Sequence, residues 1–459
     1  MSLFSPTQTT YTPPPTPFGG FIDGTPAQTA PHLLISGPSG VGKSRRVLGP
    51  GILMWAGPVV AVSSKPDLID LCLQRRHEWS GHRNTFVLDL SGEVPDDILP
   101  SGVEKVIVDP TVLVNTDDDA LDLASILMQS GASGAGGGGR GGGGDPFWEN
   151  ISVGPLAAIL RAAGSRGIAW AREAVGKIDP PDLDEFGNSE DTDSPCWINA
   201  IGTLQESSPM LAQEIASAAK LEAKMRDSVM VTMKSAVAPW LRSTVAGDGS
   251  HRAFTPDMLA SARATLFVVA PATGVAAGAA VSCVDFITKR WRANQTERTR
   301  LPRLLMVVDE LCNTMPWPKL PTVVTESRAM GIHLLCAVQA TSQFAKRYGA
   351  DGMTELREVF PAVLCLTGAA EKEMLEKAAW WYGQSERAKT SVDHLGRASL
   401  SSEKTETIAA TDLLPRSIDE GRLLRGKRPG AAAGPANEAG LLVRLIDIDA
   451  IRFAARKEV

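Results

Sequence analysis

The sequence predicts an α/β protein: a mostly parallel sheet covered by helices on both faces, interrupted by an all-helical block. Three observations predict it. Short apolar runs at His32–Ile35, Pro58–Ser63, Phe86–Leu90, Val106–Val108, Thr265–Ala270, Leu304–Val308, His333–Ala337 and Ala362–Leu366 alternate with helix-compatible stretches. Continuous apolar character is what a strand buried on both faces requires. From Phe147 to about Arg242 the apolar residues fall instead at helical spacing, as in Leu156, Ile159, Leu160 and Ala163, and in Leu221, Met225, Val229 and Met233. Finally, the first apolar run feeds directly into a glycine-rich loop.

That stretch, Leu33–Ser44, reads LLISGPSGVGKS and carries the pattern Gly-x-x-x-x-Gly-Lys-Ser at Gly37, Gly42, Lys43 and Ser44. A polyphosphate is most simply held by a nest of backbone N–H groups at a helix N-terminus, with glycine where a Cβ would block approach. Gly37, Pro38, Ser39, Gly40, Val41, Gly42, Lys43, Ser44 and the following Arg45 are therefore the candidate nucleotide-binding residues. Lys43 would neutralise the β- and γ-phosphates of ATP, and the Ser44 hydroxyl would hold Mg²⁺. The same octet would suit a small nucleotide kinase. Arg45–Trp55 reads as the helix that follows, broken at Pro50.

Far downstream, Leu304–Glu310 reads LLMVVDE, a buried-strand run closing on two carboxylates. Asp309 would reach Mg²⁺ through water, and Glu310 would orient and deprotonate an attacking water. The alternative is a strand that ends at the surface in two solvated acids. The long separation of loop and acids favours hydrolysis over a small kinase, because another folded unit lies between them.

At 459 residues the chain exceeds what one core usually supports. The predicted division is an extended proline-rich arm (1–31), a first α/β segment ending in a glycine-rich connection (32–144), an all-helical insertion (145–250) and a second α/β segment (251–459). The connection itself is Gly131–Gly144, and an acidic, proline-bearing loop is expected at Asp179–Pro195. A net charge of −6 argues against a uniformly basic nucleic-acid coat but leaves room for a local basic patch. Six single cysteines with no Cys-x-x-Cys pair suggest neither a zinc site nor a disulfide framework, and several, lying in apolar runs, read as core residues in a reducing cytoplasm. The N-terminus has neither the cationic start nor the apolar stretch of a signal peptide. Ala264–Val284, the longest uncharged run, contains Pro271 and reads as a strand, a turn and a helix starting near Gly274 rather than a membrane span. Most of Trp148, Trp170, Trp197 and Trp240 of the helical block read as packing residues, with a partner-facing surface as the alternative, and His333 reads as packing within its strand.

The successive blocks GPSGVGKS, LGPGILMWAGPVVAVSSKPDL, GHRNTFVLDLSG, VDPT, DPFW and VVDEL, followed by LPTVVTESRAMGIHLLCAVQATSQFAKRYG, resemble those of the type IV coupling proteins. These are TraG/TraD-type ATPases of conjugation and type IV secretion, within the HerA/FtsK-like ring motors. The segment after Thr411 is similar to the family's closing strands. The resemblance implies a RecA-like P-loop NTPase domain with an inserted all-α domain, hexamers with nucleotide between subunits, and ATP hydrolysis. It also implies recruitment of DNA with an attached relaxase, or of a secreted protein, to a type IV secretion channel. By the same resemblance Arg328 reaches the γ-phosphate held by the neighbouring subunit, and Gln339 senses that phosphate; an arginine paired with Glu326 or Glu355 and a sheet-edge glutamine are the plainer roles. Two departures stand out. Family members usually begin with membrane-spanning helices, so a cytoplasmic chain either anchored by a separate subunit or not anchored at all is expected here. Where the family has Asp-Pro-Lys-Gly-Glu, this chain has Ser64–Lys65–Pro66–Asp67, to which no catalytic duty is assigned. A soluble FtsK/HerA-like DNA pump and a nucleotide-switched docking receptor with little turnover are the alternative functions.

Overall fold

Strands form where the apolar runs fall. In the computed structural model, which describes residues 9–10, 14–134, 146–182, 190–272, 276–293, 301–392, 398–425 and 440–452, they are β1 (Phe21–Ile22), β2 (Thr25–Pro26), β3 (His32–Ser36), β4 (Val59–Ser63), β5 (Thr85–Asp89), β6 (Val103–Lys105), β7 (Thr265–Val269), β8 (Leu304–Val308), β9 (Ile332–Val338), β10 (Ala362–Leu366), β11 (Gln384–Val392), β12 (Ala398–Glu406), β13 (Glu420–Arg425) and β14 (Gly440–Arg444). Two units partition the chain: Met1–Ala56 with His333–Ala345 and Ala350–Val459, and Gly57–Ile332 with Lys346–Gly349.

In the first unit β3 runs between β9 and β10 and parallel to both, with Leu335 opposite Leu33 and Leu364 opposite Ile35. Leu33, Leu34 and Ile35 are fully buried, which is why the middle of this strand is apolar. β13 and β14 extend the sheet in antiparallel fashion beyond β10, followed by β1 and β2. β14 alternates buried Leu441 and Val443 with exposed Leu442 and Arg444, as a half-covered strand should. The β1–β2 hairpin brings part of the expected N-terminal arm into the core, where Phe18 and Phe21 pack edge to face with ring centroids 5.1 Å apart. β11 and β12 form a separate antiparallel pair. Pro50 does not end the helix as expected: Leu48 and Gly49 keep helical φ and ψ, and the turn that follows the loop continues into α1 (Gly49–Met54) with Pro50 at its second position. The turn before it, Lys43–Leu48, is widened to π geometry, with the Gly49 N–H reaching back to the Ser44 carbonyl.

The second unit is a parallel sheet ordered β8-β4-β7-β5-β6, joined to a helical layer. α2 (Asp67–Trp79) follows β4, and the Ser63 hydroxyl donates to the Asp67 carboxylate at 2.8 Å. The Ser64–Asp67 segment is thus a strand-to-helix turn. The helical layer comprises α3 (Asp117–Gly134), α4 (Pro146–Ala163), α5 (Gly167–Ala174), α6 (Trp197–Leu204), α7 (Pro209–Ala219) and α8 (Ala223–Val237). α3 packs against α4, α8 and α9 (Ala277–Ala293), so helix begins upstream of the glycine-rich run as well as after it. A reciprocal cap starts α3: the Asp119 N–H donates to the Thr116 hydroxyl, and the Thr116 N–H to the Asp119 carboxylate. Residues 135–144 of the glycine-rich run and 183–189 of the acidic loop lie outside the described residues.

Trp240 is fully buried with its indole N–H on the Val108 carbonyl at 2.8 Å, and the Trp170 N–H reaches the Asp193 carbonyl. All six cysteines are free and buried. His333 packs against Trp55 with ring centroids 5.0 Å apart and planes tilted by 56°. Among the described residues no helix is long and apolar enough to cross a membrane.

Candidate nucleotide site

The loop leaves β3 at Ser36, and its first residue is fixed between two neighbouring strands. The Gly37 N–H donates to the Val338 carbonyl at the end of β9 at 3.3 Å. A Cβ on Gly37 would stand 2.9 Å from the Leu366 Cβ at the end of β10. Gly40 and Gly42 take φ of 84° and 87°, left-handed conformations that curl successive N–H groups inward and that glycine adopts without strain. Lys43 is 8% exposed, and its ammonium donates to the Gly37 and Pro38 carbonyls at 2.6 and 2.9 Å. The cation is therefore folded over the loop from which it springs. Ser44, half-buried, stands on the first turn of the following helix. The donor set and the cradle fit a polyphosphate. Lys43→Ala should raise the Kd for ATP about 10- to 100-fold, the worth of a charge-assisted hydrogen bond to phosphate. Titration with a fluorescent ATP analogue measures it, and an unchanged Kd would remove the lysine from the site.

Just beyond the loop, two arginines are held from the far end of the chain. Arg45 makes a two-pronged pair with Asp447, at 2.9 Å from Nε and 2.6 Å from Nη2, and also meets Asp449 at 2.7 Å. Arg46 pairs with Asp419 at 2.5 Å. The hydrogen bond from Arg45 holds the Asp447 carboxyl below the usual range, against the opposing effect of partial burial. A carboxyl depressed by folding contributes stability that is present above its unfolded value, near 4, and lost as the pH falls through the folded one. Because the pair is 47% and 37% exposed, its contribution is small, below about 1 kcal/mol. Thermal unfolding of the parent and of Asp447→Asn should therefore differ at pH 6 and converge only once the pH has fallen through the lowered value of the folded carboxyl; a gap that persists beyond that point would refute the clamp.

In the second unit, Asp309 and Glu310 follow β8 immediately. The Asp309 N–H donates to the Val62 carbonyl of β4 at 2.8 Å, and Asp309 is 7% exposed. Glu310, half-buried, has φ 48° and ψ 51°, a left-handed conformation uncommon for a side chain of its kind. Thr314, one turn on, secures this bend by donating its hydroxyl to the carbonyls of Asp309 and Glu310. Arg347 and Tyr348 hold the carbonyls of Cys312 and Trp317 at 2.8 and 3.0 Å. Desolvation pushes the Cys312 thiol up to about 12, so it stays protonated beside the acids.

Arg328 lies at the other end of β8. The Leu304 N–H meets the Gly331 carbonyl, and the Gly331 N–H meets the Arg328 carbonyl. Its side chain is exposed and makes no ion pair among the described residues; Glu326, its expected alternative partner, is taken by Arg292 at 2.5 Å. Gln339, in the first unit, follows β9 beside the loop, its N–H bonded to the Gln343 side-chain carbonyl at 3.0 Å. The first unit thus carries Gly37–Arg45 and Gln339, and the second carries Asp309, Glu310 and Arg328. Asp419, Asp447 and Asp449 were not read as functional in the sequence. Their partners lie hundreds of positions away, and no local pattern marks them.

A buried parallel strand that opens into a glycine cradle, with its lysine folded over the loop, defines the P-loop NTPase fold. Residues 303–418 match the family described as the TraM recognition site of TraD and TraG. Among solved structures the chain is similar to the plasmid coupling protein TrwB in complex with the GTP analogue GDPNP, with a TM-score of 0.60 at 14% identity over 97% of this chain and 92% of that one. It is similar also to the bacterial conjugative coupling protein TrwBdeltaN70 in its unbound monoclinic form, with a TM-score of 0.58 at 16% identity over 96% and 91%. TrwB in complex with ADP and Mg²⁺ gives 0.56 at 16% over 97% and 92%. No curated protein matches the sequence. The chain is thus similar to TraD and TraG in the sequence of residues 303–418, and to the conjugative coupling protein TrwB in fold.

Proposed function

We propose that this protein is an ATPase that couples ATP hydrolysis to the recruitment and translocation of DNA, with an attached relaxase, toward a type IV secretion channel. The observation that carries the reading is the loop itself: left-handed glycines at Gly40 and Gly42 and a buried Lys43 anchored on the Gly37 and Pro38 carbonyls. Backbone N–H groups of Gly37–Ser44 hold the phosphates, and Lys43 neutralises their charge. The Ser44 hydroxyl, with Asp309 through water, holds Mg²⁺, which when bound offsets phosphate charge. Glu310 orients a water and takes its proton. That TrwB has been solved with ADP and Mg²⁺ supports this ligand class.

The family description of residues 303–418 supports a substrate-recognition surface on that segment, and so a place in the conjugation machinery. We assign the helical block to an all-α insertion in a RecA-like domain, the active form to a hexamer, and membrane attachment to a separate partner. The test is ATP turnover by the purified protein with and without single-stranded and duplex DNA. Stimulation by DNA is the expected result. Binding of ATP with negligible turnover would favour a docking receptor, and failure to bind ATP would overturn the proposal.

A further inference from the structure

Glu371 belongs to none of the sequence motifs, yet it is tied to two segments of the nucleotide site. It is 2% exposed, at the start of α10 (Lys372–Tyr382). Its Oε1 accepts the Ser36 hydroxyl at 2.5 Å and the Thr341 N–H at 2.7 Å, and its Oε2 accepts the Thr341 hydroxyl at 2.6 Å. The Thr341 oxygen in turn accepts from Arg357 Nε at 2.7 Å. Ser36 is the residue before Gly37, and Thr341 stands two residues after Gln339. The stretch from Leu366 to Glu371 also backs the loop, with Leu366 against Gly37 and a Cβ on Gly368 only 3.2 Å from the Pro38 Cγ.

A buried carboxylate is costly unless its lone pairs are used, and an apolar side chain would close the same space at less cost. What a carboxylate adds is direction: three donors from two strand ends converge on one rigid group. Because the donors belong to the last residue before the loop and to the turn carrying Gln339, any displacement of one segment is passed to the other. We infer that Glu371 is a positioning residue that fixes the start of the phosphate loop relative to the Gln339 turn, so that Gln339 reports on what the loop holds. This rests on the nucleotide-hydrolysing reading above.

Glu371→Gln tests it, because the amide keeps the volume while one of its polar atoms now faces Thr341 with hydrogens already supplied by Arg357. Expected is a kcat about 10-fold lower with the Kd for ATP within about twofold, as for a residue acting after binding. In a Gln339→Ala background the same substitution should lower kcat by less than about twofold further, since coupled residues are not additive. Asp109→Asn, which loses a carboxylate bound to Thr111 and Ile168 in the second unit, is the control for a merely structural loss and should leave kcat unchanged. A kcat for Glu371→Gln within twofold of the parent, or multiplicative effects with Gln339→Ala, would overturn the inference. Hydrogen exchange supplies an arm that needs no turnover. ATP should protect residues 339–343 in the parent and do so much less in Glu371→Gln at equal occupancy; equal protection in both proteins overturns the inference. A parent that binds ATP without hydrolysing it defeats the ATPase reading alone, and this second arm still decides the role of Glu371.

Discussion

Glu310→Gln is expected to bind ATP with parental affinity and to lose turnover by about 10²- to 10⁴-fold, the usual contribution of a positioned general base. The substitution keeps the size of the side chain and removes the group that takes the proton. It also keeps the backbone problem. Glu310 is held at φ 48° by the Thr314 bonds to its own and the preceding carbonyl, and glutamine is no more at ease there than glutamate. Strain stored at a strand end that carries an acid is what a site needs when side-chain direction matters more than stability. Glu310→Gly should make this visible: relief of the left-handed conformation, partly offset by the entropy of glycine, leaves the folded protein about as stable or up to ~1 kcal/mol more so, while turnover is lost just as completely. Thermal unfolding and steady-state hydrolysis of the two variants are the measurements. A Glu310→Gln protein that hydrolyses ATP within twofold of the parental rate would transfer the base role elsewhere.

Arg328→Ala should leave ATP binding intact and depress hydrolysis in the assembled protein by about 10³-fold or more, the scale of an arginine that stabilises charge in phosphoryl transfer. Geometry within the second unit dictates the form of this prediction. Arg328 and Glu310 flank β8 at opposite ends, and five residues of strand span about 17 Å. An arginine at one end cannot reach a water held at the other, so a role for Arg328 must be played toward another copy of the chain. Mixing the Glu310→Gln and Arg328→Ala proteins should then restore part of the activity, because some junctions receive one intact acid and one intact arginine. Arg328→Ala turning over at the parental rate, or mixtures no more active than their parts, would rule out the role in trans.

The sequence made the strand ends legible for a physical reason. β3, β4, β7, β8, β9 and β10 are buried along their whole length, and such strands are mostly apolar, so polar residues at and after their ends mark where the chain emerges. β6 was read a few residues too late, as Val106–Val108 rather than Val103–Lys105, because an edge strand with polar side chains has no such signature. α3 went unread although Thr116 and Asp119 spell out its cap, since the glycine run that follows dominates the composition there. Beyond local pattern altogether are Glu371 and Asp447: the first meets Ser36 across 335 positions and the second Arg45 across 402. Distances of that kind are set by topology and leave no periodic trace.

Those separations bear on how the protein is made. The phosphate loop leaves the ribosome long before β9 and β10, which flank its strand, and Asp447, which steadies its helix, because these are synthesised some three to four hundred residues later. Contacts so remote along the chain form slowly and only after the intervening residues have been translated. A nascent chain cut short before β9 would therefore carry the full glycine motif with no scaffold to hold it open, and would be unable to capture ATP before those flanking strands were in place.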